Sequence, residues 1–532
     1  MLTRFLAVWV MGGLMLLAGV PRLASAGVGT LAGRQLVIRL QPGPTTGSER
    51  PLRAASVPGA PAPIRLPDGN ILEPVRRLDD GSLVVRLPAS LDSAQALEQL
   101  RGDPSVARAE VDVLLRPALV PNDTSYSDQW YLYEDTAGIR APAAWDVTTG
   151  SSAITIAVLD SGILGHVDLD NTRILPGYDF ITDATRANDG DGRDADPSDP
   201  GDAVVAGECG LGEPAEDSSW HGLSVTGVIA ATSDNGTDIA GIDFGARILP
   251  VRVLGKCGGY TSDIADAIRW AAGLSVAGVP DNPNPAQVIN LSLSGEGACG
   301  SVEQAAIDAA VAAGAVVVVA AGNEGGDVSR YNPANCANVI VAGAIDQDGS
   351  IASYTNRGVA VDLAAPGGDG SFNGAPGILT LWNSGATVPG TDILAFIQGT
   401  SFTAAQTSAV VSLMLAGNAA LTATEVEDLL CATARSFPDA SCDITRCGAG
   451  VLDASAAVAS AAATATDPAV LSAAAGCGAA VKAAAAARLG TGGGGGGGGC
   501  TLVPVARRAD LLLPALLLLS VFGLFRRRAG SG

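Results

Sequence analysis

Histidine is nearly absent from this chain: among 532 residues there are two, His166 and His221. Any imidazole working as a general base near neutral pH is therefore one of these two. Aromatic residues make up only 4%. A core built without them relies on small aliphatic side chains and close backbone approach, for which 68 glycines are available. Basic residues are outnumbered, 32 against 54 acidic, giving a formal net charge of −22. That balance argues against a nucleic-acid partner and suits a soluble surface able to bind cations. No Cys-x-x-Cys pair with partnering histidines exists, which argues against zinc.

What is present points to export. Residues 1–26 combine Arg4, an apolar run from Phe5 to Val20, and Ala24-Ser25-Ala26, the three parts of a secretory signal peptide. An exported chain meets an oxidising compartment, so its nine cysteines become disulfide candidates. Residues 27–120 read as a small α+β unit. Strand patterns lie at Gln35–Leu40, Ser82–Leu87 and Val106–Leu115, and a helical pattern at Ala94–Leu100. Standing between a signal and a large core, the unit fits a pro-region.

The texture changes at Pro121. Apolar, β-branched runs at Ala153–Leu159, Ala246–Leu254, Gln287–Leu293 and Ala315–Ala321 alternate with helical stretches at Ile264–Ala272 and Val302–Ala313. Alternation of this kind predicts an α/β fold, a mostly parallel sheet flanked by helices. In such sheets, sites collect at the carboxyl ends of the strands. Asp160 closes the first run. His221 opens a helical stretch of small residues, Gly222 to Ala230. Ser401 follows Gly399-Thr400 and begins a long apolar helix. Helix N-termini favour negative charge, which suits a nucleophile whose attack creates an oxyanion. Each residue also has a plainer reading alone: Asp160 as a cap or turn, His221 as a satisfied core histidine, Ser401 as an N-cap.

The order Asp160, His221, Ser401, in segments Asp160-Ser-Gly-Ile163, His221-Gly222 and Gly399-Thr-Ser401, resembles that of the subtilisin-like serine proteases. Ala320-Ala321-Gly322-Asn323 resembles the family's oxyanion segment, and Ser292-Leu293-Ser294-Gly295 its substrate-binding strand. The resemblance implies Ser401 as nucleophile, His221 as general base and acid, Asp160 as its orienting partner and Asn323 as oxyanion donor. It also implies that Ser292 to Gly295 and Ala320 to Gly322 line the substrate, a protein or peptide. The catalytic domain would span residues 121–460, and 27–120 would be an inhibitory propeptide. Two motifs depart from the family pattern. The usual His-Gly-Thr-His is His221-Gly222-Leu223-Ser224, and the usual Gly-Thr-Ser-Met-Ala-Ala-Pro-His runs Gly399-Thr-Ser-Phe-Thr-Ala-Ala-Gln406. A catalytically silent binding module on the same fold is the alternative these departures raise.

The acid-rich stretch Asn188–Asp202 suggests a calcium (Ca2+) loop from Asp189, Asp191, Asp196 and Asp199 with the carbonyl of Arg193, or else a solvated acidic loop. The resemblance implies a second calcium site from Asp168, Asp234 and the carbonyls of Thr232, Thr237 and Ile239. It also marks His166 as structural. Spacing alone leaves disulfide connectivity open. The pairs expected are Cys209–Cys257, Cys299–Cys336 and Cys442–Cys447, with Cys431 and Cys477 unassigned. Residues 461–500 read as an Ala/Gly-rich linker. Residues 501–532, apolar and then basic, resemble a bacterial sorting tail processed by a sorting protease, or a weak membrane anchor.

Overall fold

The computed structural model describes residues 35–41, 63–88, 91, 93–112, 119–370 and 377–490. The expected signal peptide, the polyglycine run, Cys500 and the apolar C-terminal segment lie outside them. The chain divides into two compact units, Met1–Pro117 and Ala118–Gly532.

The first unit is a five-stranded antiparallel sheet in the order Ile64–Arg65, Ile71–Arg77, Leu83–Arg86, Gln35–Leu40, Val106–Val111. Alternation along Gln35–Leu40 buries Leu36 and Ile38 against Leu72, Val85 and the helix Ser93–Arg101, which contributes Ala96 and Leu100.

The second unit is built on a seven-stranded sheet whose pairings are all parallel. Its order is Leu363–Pro366, Ile340–Ile345, Val316–Ala320, Val288–Leu291, Thr155–Asp160, Arg247–Arg252, Tyr178–Asp179. Thr155–Asp160 is buried at every position, as the unbroken apolar run predicts. Strand geometry sends successive side chains to opposite faces. Ile156, Val158, Val316 and Val318 accordingly join one core layer, with the helices His221–Ala230 and Thr400–Gly417. Ala157, Leu159, Val317 and Val319 join the other, with the helices Thr261–Ala271 and Ser301–Ala312.

Thr400–Gly417 carries no polar face, because every residue from Thr400 to Leu415 is buried. Two of its threonine hydroxyls are satisfied along the helix itself. Thr403 Oγ1 donates to the Thr400 carbonyl at 2.8 Å, and Thr407 Oγ1 to that of Thr403 at 2.7 Å.

Among the described residues four disulfides form: Cys209–Cys257, Cys299–Cys336, Cys442–Cys447 and Cys431–Cys477. The last ties down part of the stretch expected to be a linker. Residues 461–490 are instead helical, in Ala454–Thr464, Ala469–Ala474 and Cys477–Gly490, so a domain end at 460 would cut a helix. Alanine, the strongest helix former, accounts for this. Ala469–Leu489 is long and apolar enough to cross a membrane, with mean hydropathy 1.5. Yet Lys482 within it bonds Asp362 at 2.7 Å and Glu427 at 3.1 Å in the second unit.

Candidate active site

Asp160 ends its strand fully buried, at the carboxyl edge of the sheet. Its Oδ1 lies 2.7 Å from His221 Nδ1 and accepts the Ser161 N–H at 2.7 Å. The residues behind this pair explain the small amino acids in both motifs. Ser161 Oγ accepts the Gly222 N–H at 3.0 Å and donates to Asp199 Oδ2 at 2.7 Å. A Cβ on Gly222 would stand 2.0 Å from the Gly162 carbonyl oxygen. Only glycine lets the histidine helix approach the aspartate turn this closely.

The chain enters that helix through Trp220, held at φ 43°, a conformation costly for a bulky side chain. Burial of the indole, with its Nε1 donating to the Gly385 carbonyl at 2.7 Å, holds it there. Asp202 accepts both the N–H and the hydroxyl of Ser219 at 2.6 Å, fixing the preceding residue. Burial opposes charge on the His221 ring. The neighbouring Asp160 charge and hydrogen bond, with Asp202 and Asp199 farther off, nevertheless hold its pKa above the usual imidazole value.

Ser401 sits in the first turn of its helix, 6% exposed, after Gly399 at φ 150°. Its Oγ donates to the Ser292 carbonyl at 3.2 Å. Asn323 Oδ1 accepts both the N–H and the Oγ1–H of Thr400 at 2.9 Å. Thr400 Oγ1 in turn accepts the Gly322 N–H at 3.1 Å. With its oxygen anchored twice, the Asn323 amide is left only its NH2 to offer. Ser292 to Gly295 and Ala320 to Gly322 leave the carboxyl ends of adjacent parallel strands. Gly322, at φ 96°, passes so close to Asn356 that a Cβ would lie 2.3 Å from its Nδ2.

The two altered motifs find separate partners. Ser224 Oγ donates to the His221 carbonyl at 2.8 Å, and Gln406 Nε2 to that of Pro366 at 2.6 Å. Phe402, where the family has methionine, is buried with its ring 6.3 Å from that of His221. His166 accepts the Asp168 N–H on Nδ1 at 3.1 Å, a turn-stabilising role.

The acid-rich loop does not assemble as the sequence suggests. Among the described residues, the only group of three or more metal-binding side chains within 4.8 Å is Cys299, Glu303 and Cys336, and its cysteines form a disulfide. Asp189 bonds Arg252 Nη1 at 2.7 Å, Asp196 accepts the Ser198 N–H, and Asp199 accepts from Ser161 and Gly201. The Asp191 N–H donates to Asp189 Oδ1 at 3.3 Å, and the Arg193 side chain pairs with Asp263 and Asp266. The physical reason is Arg252. This guanidinium, 1% exposed, needs counter-charge. It bonds Asp179 and Asp189 while its Nε donates to the Ser161 carbonyl at 3.1 Å. The loop's charges thus brace the turn beside Asp160.

The Asp168 set also falls outside that spacing, but its chemistry is different. Asp168 is buried, accepts from Asn235 Nδ2 at 2.7 Å and the Ile239 N–H at 3.0 Å, and meets no cationic side chain there. Burial, with the charges of Asp238 and Asp123 nearby, pushes its pKa up to about 7. Asp123 Oδ2 accepts the Asp234 N–H at 2.8 Å, while its Oδ1 is buried without a hydrogen-bond partner. An orphaned carboxylate oxygen near a second buried acid fits a hard cation. Asp123 carried no motif, and only the fold brings it there.

A parallel α/β sheet that ends in a buried aspartate against a histidine, with the ring of the residue after a helix-start serine 6.3 Å from that histidine ring, is the kind of frame that suits serine-based acyl transfer. The subtilase family profile matches residues 151–478, more than half of the chain, and the chain belongs to that family. It is 49% identical over 391 residues to an extracellular protease of Xanthomonas campestris pv. campestris, covering 73% of this chain and 65% of that one. It is 42% identical over 383 residues to an extracellular basic protease of Dichelobacter nodosus, covering 70% and 62%. The chain thus spans less than two thirds of either relative's length. A solved protease from Pseudoalteromonas arctica PAMC 21717 superposes with a TM-score of 0.62 at 49% identity, over 64% of this chain and all of that one.

Proposed function

We propose that the protein is a secreted serine endopeptidase. The observation that carries this reading is the 2.7 Å contact of His221 Nδ1 with buried Asp160, which leaves Nε2 as the ring's free nitrogen. His221 takes the Ser401 hydroxyl proton on Nε2 as Oγ attacks the scissile carbonyl. The carbonyl π pair moves to oxygen, and the Ser401 N–H and Asn323 NH2 stabilise that oxyanion. Collapse of the intermediate breaks the C–N bond, and the amine leaves with the proton from His221. Water then repeats the sequence on the acyl-enzyme, releasing the acid and restoring Ser401. Asp160 holds the ring's tautomer and stabilises its charged form. The substrate is an extended polypeptide lying along Ser292 to Gly295 and Ala320 to Gly322.

Calcium, when bound, supplies structural counter-charge held by Asp168, Asp234 and Asp123 with the carbonyls of Thr232, Thr237 and Ile239. Residues 27–120 act as intramolecular inhibitor, 1–26 direct export, and 501–532 serve as a sorting segment for a sorting protease. The test is hydrolysis of casein by the secreted chain and its Ser401→Ala variant. The reading requires activity in the first and at most a trace in the second. Equal activity would overturn it.

A further inference from the structure

The serine at the helix start is connected to a second serine two turns down the same helix through a buried relay. Ser408 Oγ donates to Asn290 Oδ1 at 2.9 Å. Asn290 Nδ2 donates to Ser292 Oγ at 2.9 Å, and Ser292 Oγ donates to the Ser401 carbonyl at 2.8 Å. The Ser401 hydroxyl closes the circuit by donating to the Ser292 carbonyl at 3.2 Å. Asn290 and Ser408 are 0% exposed, Ser292 3% and Ser401 6%. Asn290 lies on Val288–Leu291, between Thr155–Asp160 and Val316–Ala320 in the sheet. A buried amide and three buried hydroxyls in an apolar layer are costly unless mutually satisfied. Here every donor before the last points the same way, toward the Ser401 backbone.

Resting on the protease reading, we infer that Ser408 and Asn290 are positioning residues for the nucleophile. The relay fixes where the helix start sits against the strand that would bind substrate. It does so at two points on one helix face, residues 401 and 408, spaced by two turns. It also holds the Ser292 carbonyl, the acceptor that the Ser401 proton must leave for His221. Removing the Ser408 hydroxyl orphans Asn290 Oδ1 and frees that amide to turn, so Ser292 loses its fixed donor and the Ser401 hydroxyl its set direction. Displacements of tenths of an ångström at an attacking atom cost rate rather than affinity. The hydrogen bonds of neither side chain run to Asp160 or His221.

The experiment compares wild type, Ser408→Ala and Ser408→Thr on a chromogenic peptide, with active sites counted by fluorophosphonate titration. Ser408→Ala should lower kcat per titrated site by about three- to tenfold, the effect of one buried hydrogen bond, with KM within about twofold. The fluorophosphonate inactivation rate should fall by the same factor. The acid limb of the pH profile should stay in place, and Ser408→Thr should restore most of the rate. An unchanged kcat per site with only a lower Tm would reduce the relay to structure and overturn the inference. So would a change confined to KM. Should Ser408→Ala fail to accumulate, Asn290→Leu cuts the relay in the middle and is judged by the same kcat, KM and labelling criteria. If wild type itself takes no label, the protease reading has failed instead.

Discussion

Replacing Asn323 by alanine isolates one contribution to the proposed chemistry. The amide oxygen is tied to Thr400 by two bonds of 2.9 Å, so the side chain is preset rather than recruited during reaction. Alanine deletes one donor to the oxyanion, worth about 3–4 kcal/mol of transition-state stabilisation, or about 10²–10³ in kcat. Because the developing negative charge is absent from the bound substrate, KM should change little. The side chain is exposed, so the folded state loses only its bonds to Thr400, about 1–2 kcal/mol. Thr400→Val keeps the amide but removes one of its two tethers together with the acceptor of the Gly322 N–H, and should cost at least about three- to tenfold. The assay is kcat and KM on a chromogenic peptide, per titrated active site, with single-turnover acylation measured separately. An Asn323→Ala enzyme acylating within threefold of wild type would refute the reasoning. So would a loss expressed wholly in KM.

Gly222→Ala places a Cβ 2.0 Å from the Gly162 oxygen, backbone against backbone; Tm and activity should both fall steeply, and a normal Tm by calorimetry would refute the packing argument. Activity should rise with pH through a midpoint above the ordinary imidazole value, because the Asp160 charge outweighs burial at His221. With the folded pKa above the unfolded one, the charged pair adds stability below the unfolded value and loses it as pH rises through the folded one. Asp160→Asn should move the limb of the pH–rate profile downward while lowering kcat. Excess chelator should lower Tm, by the equivalent of about 2.7 kcal/mol if calcium had stood at a hundred times its Kd; an unchanged Tm in calorimetry would count against the Asp168 site.

Much of this arrangement was legible in the chain because it is local. Buried parallel strands write themselves as unbroken apolar runs, and Thr155–Asp160, Arg247–Arg252, Val288–Leu291 and Val316–Ala320 fall inside them. Asp160, His221 and Ser401 stand at the ends or starts of such elements, where order and flanking glycines mark them. Ile340–Ile345 and Leu363–Pro366 are not legible in the chain, since short stretches rich in alanine and glycine lack a period that separates strand from helix. The acid-rich loop misleads for another reason. Composition records its charges but not Arg252, which lies outside the loop and claims Asp189. Asp123, Trp220 and the Ser408 relay were invisible because their meaning depends on partners distant in sequence. The alanine-rich stretch up to residue 490, whose composition suggests a linker, is helical because helix propensity is reinforced by the Cys431–Cys477 bond and Lys482.

The central claim is that Ser401 is an activated nucleophile. The most direct test labels the folded, secreted protein with a fluorophosphonate probe and maps the modified peptide. The account predicts a single stoichiometric adduct on Ser401, lost in Ser401→Ala and strongly slowed in His221→Ala. A folded chain freed of residues 27–120 that takes no label, or takes it at another serine, would contradict it and favour a silent binding module on the subtilase fold.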